Sequence, residues 1–136
     1  MRVVVDTNVV AYFLLGNPLF EAETQEFWGG LREPIAPALW EAELTNVVWM
    51  SIRAGVLEAA EGLSKLHLAR RLGIHTVATR ALWHGALVRS VQTGVAVYDT
   101  LFVELAEREG VALATFDKTL LRSWPQIAQR PGDIHA

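Results

Sequence analysis

Arg2-Val3-Val4-Val5-Asp6-Thr7-Asn8 is the stretch that decides the fold. Three consecutive valines are β-branched and apolar without alternation, the pattern of a strand buried on both faces, as in a parallel sheet covered by helices. The polar triplet that follows stops the strand. Residues 8–15 then read as a helix closed by Gly16-Asn17-Pro18. The same alternation runs outward from this unit. Residues 19–31 predict a second helix, with Glu21, Glu23 and Glu26 opposite Phe20, Phe27 and Trp28, and Pro34-Ile35-Ala36-Pro37 a brief strand. Residues 38–54 predict a helix with Trp40, Leu44, Val47 and Val48 at helical spacing, ended by Gly55. Residues 56–72 form another, with Gly73 as its C′ residue. Residues 75–77 are a weak strand and 79–93 a helix. Tyr98, Leu101, Phe102 and Leu105 mark an amphipathic helix ended by Gly110, and 111–116 is an apolar strand leading into Asp117. Residues 131–134 supply a candidate last strand. Strands alternating with helices predict an α/β fold around a parallel sheet.

Composition bounds the class. At 136 residues, 51% hydrophobic and 20% charged, the chain suits one domain with its own core and is too apolar for disorder. Repeats and low-complexity linkers are absent. There is no cysteine, so disulfides and thiolate metal sites are excluded, as befits a reducing compartment. A net charge of −3 argues against a strongly basic nucleic-acid coat. It leaves room for nucleic-acid binding in which metal ions supply local positive charge. Asp6, Thr7 and Asn8 interrupt the apolar N-terminal run and no small-residue cleavage site follows, so no signal peptide is expected. Nowhere do 18 apolar residues run consecutively, and a cytoplasmic protein without a membrane span is expected.

Of four aspartates, three occupy the same kind of place: Asp6 ends the first strand, Asp99 opens a helix after Val95-Ala96-Val97, and Asp117 follows the strand at 111–116. Open α/β sheets bind ligands at the carboxyl ends of their strands, near a switch in strand order. Aspartate at such junctions is also a preferred helix cap. Three together, where other junctions use Asn, Thr or Pro, point to convergence around a cation, because carboxylates repel unless one sits among them. Oxygen donors favour Mg²⁺ or Mn²⁺. Zinc is disfavoured, since His67, His75, His84 and His135 are scattered without ligand spacing. A further acid is expected from the helix at 38–54, where helical geometry does not choose between Glu41 and Glu43. Glu43 has Asn46 three residues on and Val47 four on, a polar partner beside the core stripe.

Taken in order, these elements resemble those of PIN-domain ribonucleases. Val3-Val4-Val5-Asp6-Thr7-Asn8 is similar to their opening strand, and Trp40-Glu41-Ala42-Glu43-Leu44-Thr45-Asn46 to their helical Glu-x-x-Asn element. Tyr98-Asp99-Thr100-Leu101 and Ala114-Thr115-Phe116-Asp117 resemble the third and fourth acidic elements. The likeness runs from residue 1 to about 121 and is closest to VapC-type toxins of toxin–antitoxin pairs. It implies a single PIN-like domain over 1–136: a three-layer sandwich whose parallel sheet of four to five strands is covered by helices on both faces. The resemblance also implies a Mg²⁺- or Mn²⁺-dependent endoribonuclease. It assigns Asp6, Glu43, Asp99 and Asp117 as catalytic and metal-binding, so selecting Glu43 over Glu41. Thr7 and Thr115 would support them with hydroxyl contacts, Asn8 would start the following helix, and Asn46 completes the helical element.

The implied substrate is RNA, single-stranded or looped so that a phosphate can enter a cleft. The implied partners are a cognate antitoxin and a second copy of the chain. The antitoxin is expected along the early helices near Phe20, Phe27 and Trp28. Trp40 and Trp49 are expected in or near the core, and Trp28 and Trp83 at an interface. Ten arginines against two lysines suit bidentate phosphate contacts, with Arg53, Arg70, Arg71, Arg80 and Arg89 as candidates. The rival is a catalytically silent PIN-like module that binds RNA or protein. A receiver-type phosphoacceptor is excluded because no aspartate lies between Asp6 and Asp99. A HAD-like phosphatase is excluded because residue 8 is Asn8.

Overall fold

Val3, Val4 and Val5 are completely buried because their strand, β1 (Arg2–Val5), lies in the middle of a five-stranded parallel sheet. The computed structural model describes residues 1–30 and 33–135. The chain moves outward from β1 to β2 (Glu33–Pro37) and then to β3 (His75–Val77), an edge strand. It then crosses back to lay β4 (Leu113–Ala114) on the other side of β1, with β5 (Ala128–Gln129) beyond it. Register is fixed by pairs such as Val4 with Ile35 on one side and Val5 with Ala114 on the other. The reversal of direction between β1 and β4 is the topological switch point at which an open parallel sheet offers a crevice.

Helices cover both faces. Among the described residues they are α1 (Thr7–Leu15), α2 (Glu21–Gly29), α3 (Leu39–Arg53), α4 (Ala59–Arg70), α5 (Trp83–Thr93), α6 (Val97–Glu109) and α7 (Lys118–Ser123). Leu101, Phe102, Val103, Leu105 and Ala106 of α6 are buried, and α6 packs on β1, β2 and β4. Helix α5 lies against α6, and α1 packs with α2, α3 and α4. The α5–α6 contact needs Gly85: a Cβ there would stand 2.3 Å from the Glu104 carboxylate. Thr100 Oγ1 donates to the Ala86 carbonyl at 2.9 Å and lies 2.9 Å from Ser90 Oγ, clamping the start of α6. Among the described residues no helix is long and apolar enough to cross a membrane.

Several expectations shift. The last strand is β5, whereas Pro131–Asp133 forms a 3₁₀ turn, since proline at its start has no N–H for a ladder. The helix expected over 79–93 breaks at Leu82, which is fully buried, into a 3₁₀ turn (Thr79–Ala81) and α5. Helix α4 starts late because Glu58 caps it reciprocally, its N–H donating to Glu61 Oε1 at 3.2 Å. The expected end of the second helix at Leu31 lies outside the described residues. Phe27 is core, and Trp28 donates to the Val9 carbonyl at 3.2 Å and packs on Phe13, so these rings serve the interior instead of forming an open partner surface. Trp49 is exposed, with the Arg53 guanidinium 5.4 Å from its ring, because its position on α3 turns away from the buried stripe of Trp40, Leu44 and Val48.

Candidate active site

Asp6 leaves the carboxyl end of β1 at the switch point and caps α1. One carboxylate oxygen accepts from the Thr7 N–H at 2.7 Å, and the other accepts from Thr115 Oγ1 at 2.7 Å. Thr115 stands one residue past β4, where the Val5–Ala114 pairing brings it beside Asp6. Asn8, the second residue of α1, takes the Phe116 N–H on its Oδ1 at 3.2 Å and places Nδ2 3.4 Å from Asp6. Two strand ends are thus tied together by side chains 109 residues apart in sequence.

Three further acids join from other elements. Glu43, half-buried on α3, accepts from Thr7 Oγ1 at 2.7 Å, while Glu41 is exposed and lies outside the cleft. Asp117 caps α7, accepting from the Leu120 N–H at 2.9 Å, and its own N–H donates to Thr115 Oγ1. Asp99 sits in the first turn of α6 and not at the cap, which is Ala96, and makes no capping hydrogen bond. Capping therefore accounts for one oxygen each of Asp6 and Asp117 and leaves Asp99 unexplained. Asn46, one turn after Glu43, is exposed with its amide toward Met50 Sδ, outside the cleft.

Asp6, Thr7, Asn8, Ala11, Tyr12, Glu43, Val47, Asp99 and Asp117 line one cleft of about 310 Å³. Tyr12 was missed from the sequence, though the i, i+4 spacing from Asn8 on a helix carries the signal. The electrostatics agree with the geometry. Burial, reinforced by Glu43 and Asp99, raises the Asp6 pKa from 3.8 to about 7 against the pull of the Thr115 and Thr7 hydrogen bonds. Burial, with Asp99 adding, pushes Glu43 up, and burial with the Asp117 charge pushes Asp99 up. The lining includes four carboxylates and no cation. Arg53, Arg70, Arg71, Arg80 and Arg89 all lie elsewhere, Arg89 being paired with Glu104 and Glu107. All four histidines are exposed.

Similarity to known proteins bears on this arrangement. The PIN-domain family profile matches residues 3–123. The chain belongs to the PIN-domain family. Ribonuclease VapC3 of Mycobacterium tuberculosis is 34% identical over 90 residues, 66% of this chain and 64% of that protein, so the chain matches a little under two thirds of that relative's length. A Ribonuclease VapC3 of Pyrobaculum aerophilum is 28% identical over 131 residues, covering 93% of this chain and 98% of the relative. VapBC2 from Rickettsia felis, solved on a fragment of promoter DNA, superposes with a TM-score of 0.67 at 18% identity, covering 96% of this chain and 98% of that one. At that identity the likeness is one of fold. The PIN-domain match spans all four cleft acids and stops before β5 and the C-terminal turn.

Proposed function

We propose that the chain, acting over 1–136 as a single PIN-like unit, is a metal-dependent endoribonuclease and the toxin of a toxin–antitoxin pair. One observation carries the reading: four carboxylates from four elements line one cleft with no cation among its lining residues. The donor set fits a hard divalent ion such as Mg²⁺ or Mn²⁺. It is all oxygen, it is mutually repulsive, and the Asp99 carboxylate has no hydrogen-bond or ion-pair partner among the described residues. Among the described residues no three of these acids are placed to ligate one ion together. Mg²⁺ asks for less, usually one or two carboxylates with several waters retained. Of Asp6, Glu43, Asp99 and Asp117, one or two would ligate the ion directly and the others would act through its retained waters. When bound, such an ion supplies an activated water and neutralises charge developing on a phosphoryl group.

The protein's own groups do the positioning. The Thr7 N–H and Thr115 hydroxyl orient Asp6, the Thr7 hydroxyl orients Glu43, and the Leu120 N–H leaves the second oxygen of Asp117 free of the cap. An acid of this set that does not ligate the ion directly lines the same cleft and is placed to accept a proton from an attacking water. Asn8 supports the strand end, and Asn46 serves α3 outside the cleft. The ribonuclease name of the relatives supports RNA as substrate, and the likeness in fold to VapBC2 supports an antitoxin as partner. The exposed i, i+4, i+8 stripe Trp83, Leu87 and Val91 on α5 supports a homodimer. A cytoplasmic site of action accords with the absence of cysteine.

The test is incubation of the purified full chain with total RNA in Mg²⁺ or Mn²⁺ and in chelator. Metal-dependent fragmentation is expected from the wild type and none from Asp99→Asn. A folded wild type that binds RNA without cutting it in either metal would establish the silent-module alternative.

A further inference from the structure

The nuclease reading leaves one wall of the cleft without a task. Tyr12 lines the cleft together with the four acids. Its ring stacks on Phe20 with centroids 5.2 Å apart and planes 10° apart, and meets Phe116 at 5.3 Å. Phe20 and Phe116 contact each other at 4.5 Å. The Arg130 guanidinium carbon lies 5.2 Å from the Phe20 centroid and 4.9 Å from that of Phe116. Glu23 fixes this guanidinium bidentately, at 2.5 Å to Nη2 and 3.3 Å to Nε, and also accepts from the Gly132 N–H at 2.9 Å. The C-terminal segment beyond the PIN-domain match thus braces an aromatic triangle drawn from α1, the turn before α2, and the strand end next to Asp117. Tyr12 is only half-buried, and its hydroxyl has no hydrogen-bond partner among the described residues.

We propose that Tyr12, braced by Phe20, Phe116 and Arg130, is a substrate-contacting residue that stacks an unpaired nucleobase of the RNA beside the acidic cleft. The inference rests on the nuclease reading of this cleft. With the scissile phosphate at the acids, the base beside it comes within reach of this wall, and a neutral base with a π-face gains from an aromatic ring whatever its identity. Stacking of one base on an aromatic ring is worth roughly 10- to 100-fold in binding. The contacts that brace the platform are already made without RNA, so less of that gain goes to ordering it.

The experiment uses the full chain and a short single-stranded RNA spanning a cut site mapped from 5′ ends of fragments. Tyr12→Ala is expected to raise KM about 10- to 100-fold with kcat within a few-fold, and Tyr12→Phe to stay near wild type. Tyr12→Leu, which keeps apolar bulk, should behave as Tyr12→Ala if the packed triangle tolerates it. An abasic nucleotide next to the cut should cost the wild type the same factor and cost Tyr12→Ala nothing further, a coupling that a purely structural role does not produce. In the Glu43→Gln background, 2-aminopurine at that nucleotide should be quenched on binding, and not when Tyr12→Ala is added. Unchanged KM in Tyr12→Ala, additive abasic and Tyr12→Ala losses, or unquenched bound probe would overturn the assignment. If the wild type cuts no RNA, the nuclease reading falls instead. The quench of a mixed-sequence 2-aminopurine RNA then decides the stacking on its own, an unquenched bound probe refuting it.

Discussion

Asp6→Asn in the metal-free protein separates a carboxylate kept for its charge from one kept for its cap. Burial, with smaller contributions from Glu43 and Asp99, raises the Asp6 pKa from 3.8 to about 7. The folded state therefore holds this proton more tightly than the unfolded chain. Its advantage is complete below pH 4 and is lost as pH climbs toward 7. At 1.36 kcal/mol for each tenfold in proton affinity, the whole loss is about 4 kcal/mol, and local relaxation reduces it to ~2–3 kcal/mol. Asparagine keeps an acceptor for the Thr7 N–H and caps nearly as well as aspartate. Its amide nitrogen, however, meets a Thr115 hydroxyl that already accepts from the Asp117 N–H, a mismatch worth about 1 kcal/mol. The net expectation at pH 8 in chelator is a gain of about 1–2 kcal/mol, or roughly 3–8 °C in Tm for a domain of this size. At pH 5 the gain disappears, because the wild-type carboxylate is then largely protonated in the fold. Thermal melts of both proteins at pH 5, 6.5 and 8 in chelator read this directly. Millimolar Mn²⁺ should then raise the wild-type Tm at pH 8 and raise that of Asp6→Asn less. A variant less stable than wild type at pH 8 in chelator would refute the reasoning, leaving Asp6 a cap whose charge the fold tolerates without strain.

Glu43→Gln should abolish RNA cleavage while leaving the melting temperature within a few degrees, whereas Glu41→Gln, at an exposed position, should keep most activity; the reverse outcome would mean that α3 presents the wrong acid to the cleft. Thr115→Val removes both the donor to Asp6 and the acceptor for the Asp117 N–H, and should cost about 1–3 kcal/mol of stability in urea unfolding, more at pH 8 than at pH 5. Gly85→Ala forces a methyl against Glu104 and should destabilise by about 1–3 kcal/mol; an unchanged denaturation midpoint would show that α5 and α6 separate freely.

What was legible in the sequence followed from periodicity and punctuation. Val3-Val4-Val5 predicts a central parallel strand because alternation is missing, and the residue after it falls at the switch point where crevices form. What was not legible depended on partners remote in sequence. Trp49 sits on a helix whose apolar residues exceed what one face can bury, so composition alone suggested burial where α3 is open. Residues 131–134 contain apolar side chains, and Pro131 and Ile134 are indeed buried, but as a turn, because the ladder with β4 is already closed by Ala128 and Gln129. Asp99 reads from sequence as a helix-opening residue. Only the position of the cap at Ala96, set by the clamp of Thr100 on Ala86, shows that its carboxylate has no local use. The choice between Glu41 and Glu43 could not be made by helical spacing alone, since it is decided by the Thr7 hydroxyl across the cleft.

The apolar core and the acidic cleft are one construction. Asp6 meets Thr115 because Val5 pairs with Ala114, and that register is held by residues that are entirely buried. In a parallel pair, a slip of one residue would turn every side chain of β4 to the opposite face and present Ala114 or Phe116 to Asp6 in place of a hydroxyl. The same slip would carry Asp117 away from Asp99 and uncouple Phe116 from Tyr12 and Phe20. Apolar packing in the strands thus determines the spacing of charges that would otherwise separate, and it does so at the end of the sheet where backbone pairing stops and side chains take over. Repulsion among the four acids acts against this packing whenever no cation is bound, so stability and metal affinity should be linked through β1 and β4 more tightly than through α3, whose Glu43 reaches the cluster by a single hydroxyl contact.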